Sequence, residues 1–387
     1  MSARAGFTLV ELLIATTITV VALGLTVALL LPASAAFQAL PEAIDNQQRI
    51  RIATTAIAND IVAAGAGPIL GWGASAVATW PPVLPCRWTG GPLASTPGGC
   101  AREDAITVIA VEAEAPGGIV SEGSGTTAPI HIASLSACAP VRAACRLDPG
   151  TRALLIDGTG AWDVFAVTSV SADGTQIGHA QDVLSRAAPP GALVAAVLVR
   201  SYSLKLDAAT GGMQLRRGSG GTSDAPVADQ VTGLSFAYLA QAEPPAVIAG
   251  SAPEFRSTTY GPLPPPPEID NPDDTWPAGE NCAFRLEGTR QVPRLAALAP
   301  DGQGLALLPL AALADGPWCP DEASPNRWDA DLLRIRLVRV SLRVQPQSPA
   351  VRGAPAAQNG LSLPIDVLRW VPDLEVRFDV VLRNQSR

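Results

Sequence analysis

Four groups of side chains in this sequence could do chemistry, and their spacing limits what each can do. Six cysteines, Cys86, Cys100, Cys138, Cys145, Cys282 and Cys319, fall in local pairs with no CxxC among them, and the chain has two histidines. That spacing does not suit a Cys/His zinc site. An even count in local pairs instead predicts disulfides Cys86–Cys100, Cys138–Cys145 and Cys282–Cys319, because short loops close most readily, and it predicts an oxidising compartment. The acidic run Asp270, Asn271, Asp273 and Asp274 offers the oxygens Ca²⁺ takes. It lacks the glycine and the terminal bidentate acid of an EF-hand loop, so a solvated acidic loop is favoured and no cofactor is expected. Arg334, Arg336, Arg339 and Arg343 would supply phosphate contacts if they shared an open face. Glu375 and Asp379 are placed to pair with them from a later strand, and no aromatic residue interleaves, so a solvated face is favoured over a nucleic-acid interface. No G-x-S-x-G, P-loop, H-E-x-x-H or G-x-G-x-x-G occurs, and His131 and His179 stand alone. The chain therefore reads as a non-enzyme.

The fourth group is one residue. Glu11 borders an apolar run with no charge from Leu12 to Pro41. A carboxylate at that depth in a bilayer costs about 2.5–3.5 kcal/mol on insertion scales. As a helix, Leu12 to Leu31 rises about 30 Å, the thickness of the hydrocarbon core. Arg4 precedes the run while Glu42 and Asp45 follow it, which places the N-terminus in the cytoplasm. Three readings compete. A secretory signal peptide has a cleavage site in Ala33-Ser34-Ala35, but the run exceeds the roughly 7–15 residues of such a segment. An ordinary anchor fits the length and leaves Glu11 unexplained.

The third reading explains it. Met1-Ser2-Ala3-Arg4-Ala5-Gly6, followed by Phe7-Thr8-Leu9-Val10-Glu11, resembles the leader and cleavage motif of type IV prepilins and type II secretion pseudopilins. The resemblance implies cleavage after Gly6 by the prepilin peptidase and N-methylation of Phe7. It also implies that the apolar helix is retained as an assembly stem, where Glu11 pairs with the N-terminal amine of a neighbouring subunit. Such a pair supplies the counter-charge that a carboxylate in hydrocarbon requires.

The elements that must position these residues follow from composition and period. The chain has 387 residues, a formal charge of −8 and 16% charged residues, with Lys205 its only lysine; nothing there suggests a polyanion-binding protein. Gly (35) and Pro (36) are frequent, so turns and long loops are expected. Pro32 should kink the stem, and Pro41-Glu42 reads as a helix restart. Ile50, Ala53 or Thr54, Ile57, Ile61 and Ala64 then recur at helical spacing, until Gly65 and Gly67-Pro68 stop the helix. Strands are predicted at 105–114, 153–157, 163–170, 192–207, 233–240 and 374–383. Leu333, Ile335 and Leu337 alternate with Arg334 and Arg336 before the phase slips to Val338, Val340, Leu342 and Val344, as at a β-bulge. Ten prolines within 243–281 exclude a central strand or helix there, and Pro264–Pro267 predicts polyproline II. Trp72, Trp80 and Trp88 fall in a Gly/Pro-rich stretch as either a contact surface or a satellite core.

These parts compose an α+β chain: a leader at 1–6, a stem helix at 7–67 that is transmembrane over about 7–31, and a β-rich periplasmic domain at 68–387 with its Pro-rich loop. The helix packs on an antiparallel sheet. The order of elements, and "QQRIRIATTAIANDIVAAGAG" in the stem, resemble PilW-like minor pilins. The function implied is a minor pilin or minor pseudopilin, acting in initiation or at the tip of a type IV pilus or type II secretion pseudopilus. Its partners would be other pilins through the stem, the prepilin peptidase and the inner membrane. The alternatives are a tip binding module, either an adhesin or a DNA-uptake pseudopilin, and a secreted enzyme released after Ala35.

Overall fold

The computed structural model describes residues 8–65, 81–90, 93, 101–111, 118–133, 147–157, 161–180, 184–221, 223–243, 257–258, 261–262, 282–287, 290–299, 304–320, 323–352 and 371–383. It is α+β. Helix α1, Leu9–Ala63, is followed by strands that pair antiparallel wherever register is defined. The helix ends at Gly65, whose φ of +68° is the left-handed turn that glycine permits, and its amide bonds Ile109 O at 2.9 Å.

The restart expected at Pro41 is not found. The helix runs unbroken through Pro32 and Pro41. Each proline removes one i→i−4 bond, and the surrounding turns hold the helical path across the gap.

Chain contacts divide the molecule into two units: residues 1–51 with 343–375, and 52–342 with 376–387. In the first, Ala39, Val351 and Val371 form a small buried cluster with Ala43 against it. Polar bonds two helical turns apart reinforce it. Glu42 accepts from the amides of Gln347 (2.9 Å) and Ser348 (3.3 Å), and Arg49 donates to Gln347 Oε1 (3.2 Å).

The second unit is organised by one long strand, Leu193–Leu206. Its first half closes a barrel. Gly118–Glu122 pairs with it on one side and Arg152–Ile156 on the other, and Ile130–Ile132, Gln176–His179 and Trp162–Val170 complete the ring of six. A ring this small leaves room only for side chains. Val120, Ile130, Leu155, Phe165, Val167, Ile177 and Val194 fill it, and alanines meet where strands crowd, Ala153 opposite Ala196. Register shifts at Val120/Glu122 and Val167/Ser169 supply the bends that closure needs.

The second half of Leu193–Leu206 lies between Ala105–Val111 and Met213–Gly218, with Val83–Leu84 and Asp224–Asp229 at the edges. Tyr202 on this part reaches the helix, with its hydroxyl 2.5 Å from Asp60 Oδ2 and 3.0 Å from Ala56 O. Ala53, Ile57, Ile61 and Ala64, the stripe seen in the sequence, are fully buried.

A separate sheet orders Leu305–Leu308, Val231–Gln241, Ile335–Val344 and Leu374–Val381. The expected α+β fold with antiparallel strands is found, and its strands divide into a barrel, the barrel's open extension and this second sheet.

Candidate functional site: the membrane-length stem

Leu9–Leu30 is long and apolar enough to cross a membrane, and none of it is buried by the rest of the chain. In hydrocarbon every polar group must find a partner within the helix, and the threonines do. Thr16 bonds Leu13 O (3.0 Å), Thr17 bonds Ile14 O (2.9 Å), Thr19 bonds Ala15 O (2.7 Å) and Thr26 bonds Ala22 O (2.8 Å).

Glu11 is held by a device that is itself visible in the sequence. Thr8 caps the helix and Glu11 is its third residue, the T-x-x-E spacing of a capping box. Glu11 Oε2 accepts from the Thr8 amide and from the Thr8 hydroxyl, both at 3.0 Å, and Thr8 Oγ1 lies 3.3 Å from the Glu11 amide. Both bonds to the carboxylate fall on Oε2. Oε1 has no partner among the described residues. Glu11, Ala15, Thr19, Ala22 and Thr26 share one helical face, and small residues on a face let a second helix approach closely. Gly6 and Phe7, the expected processing residues, lie outside the described residues.

The remaining described candidates lie in the second unit, except Arg343 and Glu375, which belong to the first. Cys282 and Cys319 form a disulfide with Cα atoms 5.1 Å apart. Cys86 is also disulfide-bonded; Cys100, Cys138 and Cys145 lie outside the described residues, as do Asp270, Asp273 and Asp274, Pro264–Pro267, Trp72 and Trp80. Among the described residues no group of three or more His, Cys, Asp or Glu could hold a metal ion. His179 lies between Ala180 O and Ala128 O, both 2.9 Å from a ring nitrogen, and against the edge of Phe165. That is a packing role. Trp88 is buried edge-on to Trp162, so of the two readings it takes the satellite core.

The arginine run does not form one solvated face. Arg339 and Arg343 are partly to well exposed and pair with Asp379 and Asp373, at 2.8 and 2.7 Å. Arg334 is only 2% exposed. Alternation placed it outside, but Ala330–Arg334 is a 3-10 helix, not strand, and its tighter turn points Arg334 inward. There its guanidinium pairs with Asp331 (2.8 Å) and donates to Gln241 O (3.0 Å), Ala296 O (2.6 Å) and Ala242 O. The chain is thus anchored on both sides of 244–281, at Ala242 by Arg334 and at Cys282 by the disulfide.

Two buried carboxylates escaped the sequence reading because nothing in their neighbourhood along the chain marks them. Asp163 accepts from the amide and hydroxyl of Ser185, both at 3.0 Å, and from Asn326; burial pushes its carboxyl up to about 6 against these bonds. Asp329 accepts from the amides of Gly316 (2.7 Å) and Asp331 (2.9 Å), and burial pushes it up to about 8. Both are buried and bonded to their own chain.

Comparison with known proteins points to the same end of the chain as the stem geometry. Residues 1–27 match the prokaryotic N-terminal methylation motif. Against curated proteins the chain finds no match. Among solved structures it is similar to a type IV-like pilin from Thermus thermophilus, at 11% identity over 62% of this chain and 87% of that one, with a TM-score of 0.15; at that score the likeness carries no argument. What stands is a prepilin-type N-terminal methylation motif, of the type IV prepilin kind, leading into an exposed membrane-length helix.

Proposed function

We propose that this chain is a minor pilin or minor pseudopilin, a structural subunit that acts in initiation or at the tip of a type IV pilus or type II secretion pseudopilus. The observation that carries the reading is the bare stem. None of the span is buried by the described residues, and among them Glu11 at its start has a partner on one carboxylate oxygen only. A neighbouring subunit's N-terminal ammonium supplies the missing partner, and neighbouring stems supply the missing packing.

Cleavage after Gly6 and methylation of Phe7 fit this geometry. The Thr8 amide survives as the peptide bond to Phe7, so the capping box remains intact in the mature chain. The N-terminus faces the cytoplasm and the β-rich domain faces the periplasm, by the placement of Arg4 before and Glu42 and Asp45 after the span. Partners are other pilins or pseudopilins, the prepilin peptidase and the inner membrane.

N-terminal mass spectrometry of the membrane-bound protein tests the reading. N-methyl-Phe7 is expected as the first residue. Ala36 there instead would mean a secretory signal peptide, and an intact Met1 would mean an ordinary anchor.

A further inference from the structure

Away from the stem, cations collect at the Gly218–Asp224 end of the hairpin formed by Met213–Gly218 and Asp224–Asp229. Asp224, with its side chain 4% exposed, is shared by Arg87 at 2.9 Å, Lys205 at 3.7 Å and Arg216. One carboxylate cannot balance three cations. Asp207 also feels Arg216, but its carboxyl is held low chiefly by its bond from the Thr210 hydroxyl and least by Arg216.

Arg152 joins them. Its guanidinium lies against Gly221, with Nη2 only 2.8 Å from where a Cβ on that residue would stand. Gly221 is three residues from Asp224, so the two are within about 11 Å by chain reach. Gly220 beside it adopts φ +73°, and a Cβ there would stand 3.1 Å from Val199 Cβ, so a side chain is disfavoured at both glycines.

Arg152 is half-buried, and burial lowers its pKa with no compensating partner. Among the described residues nothing bonds or ion-pairs with it. A guanidinium carries five donors, and a desolvated charge with none of them used is costly unless something else meets it.

We propose that this hairpin end is an oxyanion-binding site, in which Arg152 and the Arg87–Lys205–Arg216 cluster hold a phosphate or sulfate group over Gly220–Gly221. A tetrahedral oxyanion suits the arrangement better than a lone carboxylate. Its several acceptor oxygens can take the guanidinium fork on one edge and a second cation on another. The surrounding chain is acidic, at −8 overall, so the site is a local positive field on a surface that otherwise repels anions.

The test uses the full-length chain in a non-ionic detergent, titrated calorimetrically with orthophosphate against chloride at constant ionic strength. Saturable phosphate binding is expected, weakened about tenfold or more in Arg152→Gln. The same variant should melt no lower than wild type in the absence of phosphate, since it removes an unpaired desolvated charge; an arginine with a purely structural role would give a lower melting temperature. Lys205→Gln, at a side chain 57% exposed, should fold as wild type and bind phosphate more weakly. A polyphosphate chain identifies the source of the anion. Tighter binding per phosphate than orthophosphate assigns a phosphate-bearing polymer, equal binding assigns the free ion, and both uphold the site. Absence of saturable binding, wild-type affinity in Arg152→Gln and Lys205→Gln, or a lowered melting temperature in Arg152→Gln overturns it.

Discussion

Glu11 and Arg334 are both charged groups in surroundings that disfavour charge, and they are satisfied in opposite ways. Arg334 is enclosed by its own chain: one carboxylate and three carbonyls, the latter from two segments, meet its guanidinium. Among the described residues Glu11 is met by a single one, Thr8, and on one oxygen only. The first is a closed account, complete within one molecule. The second is open. A buried group saturated by its own fold contributes to stability, while a group left half-satisfied on a bare apolar helix points to a second molecule. On the reading proposed above, that contrast separates the parts of this chain that fold from the part that assembles.

The largest effect should come from breaking the closed group. Arg334→Met strands Asp331 in the interior and leaves three carbonyls without their donor, so stability should fall by about 3–5 kcal/mol. Urea denaturation of the full chain in detergent reads this. A loss below about 1 kcal/mol would show that the enclosure is not the anchor described here.

The Cys282–Cys319 disulfide closes a sequence separation of 37 residues. On the chain-entropy model its removal in the double Cys→Ser variant should cost about 3–4 kcal/mol. The same denaturation experiment measures it, and an unchanged midpoint would count against a bonded pair.

A smaller effect is set by pH. Asp163 and Asp329 are held at about 6 and about 8 by burial, above their ordinary value of 3.8. The native state therefore keeps protons that the unfolded chain has released. Their contribution to stability is complete below pH 4 and is lost as pH rises through 6 for Asp163 and through 8 for Asp329. The slope is on the order of 1 kcal/mol per pH unit for each group within its window. Asp329→Asn mimics the protonated acid and should flatten the fall between pH 6 and 8, as read by thermal melts across pH. Stability that rose over that interval in the wild type would contradict the assignment.

The smallest effect belongs to the capping box. Thr8→Ala should weaken the first turn of the stem by about 1 kcal/mol. Hydrogen exchange should quicken at Leu9–Leu12 while the melting of the β-rich domain stays put.

Much of the layout was legible in local pattern. Glu11 stands out because a single charge interrupts an apolar run, and the strand at Leu374–Val381 because its residues alternate. The T-x-x-E cap is equally legible at Thr8 and Glu11. The barrel was not legible. Closing it requires that Gly118–Glu122 and Arg152–Ile156 both pair with the same short stretch near Val194, a relation between distant segments that leaves no local trace. Arg334 was misplaced for a related reason. Alternation assigns faces correctly only while the backbone is extended, and a 3-10 turn just before Ile335 changes the side it presents. At Pro41, the local rule that proline starts helices gave way to a helix already fixed on both sides.

The central claim, that Glu11 awaits a partner on another chain, is tested by Glu11→Leu. The substitution makes the span more apolar, so membrane-bound protein should match wild type. Cleavage after Gly6 should persist, and the melting of the β-rich domain should not move. Incorporation into sheared filaments should fall by more than about tenfold, because a neighbour's ammonium would be left unpaired in low dielectric. Wild-type incorporation of the Leu variant, with normal processing and membrane level, would contradict the account and leave the Thr8–Glu11 cap as the whole role of that carboxylate.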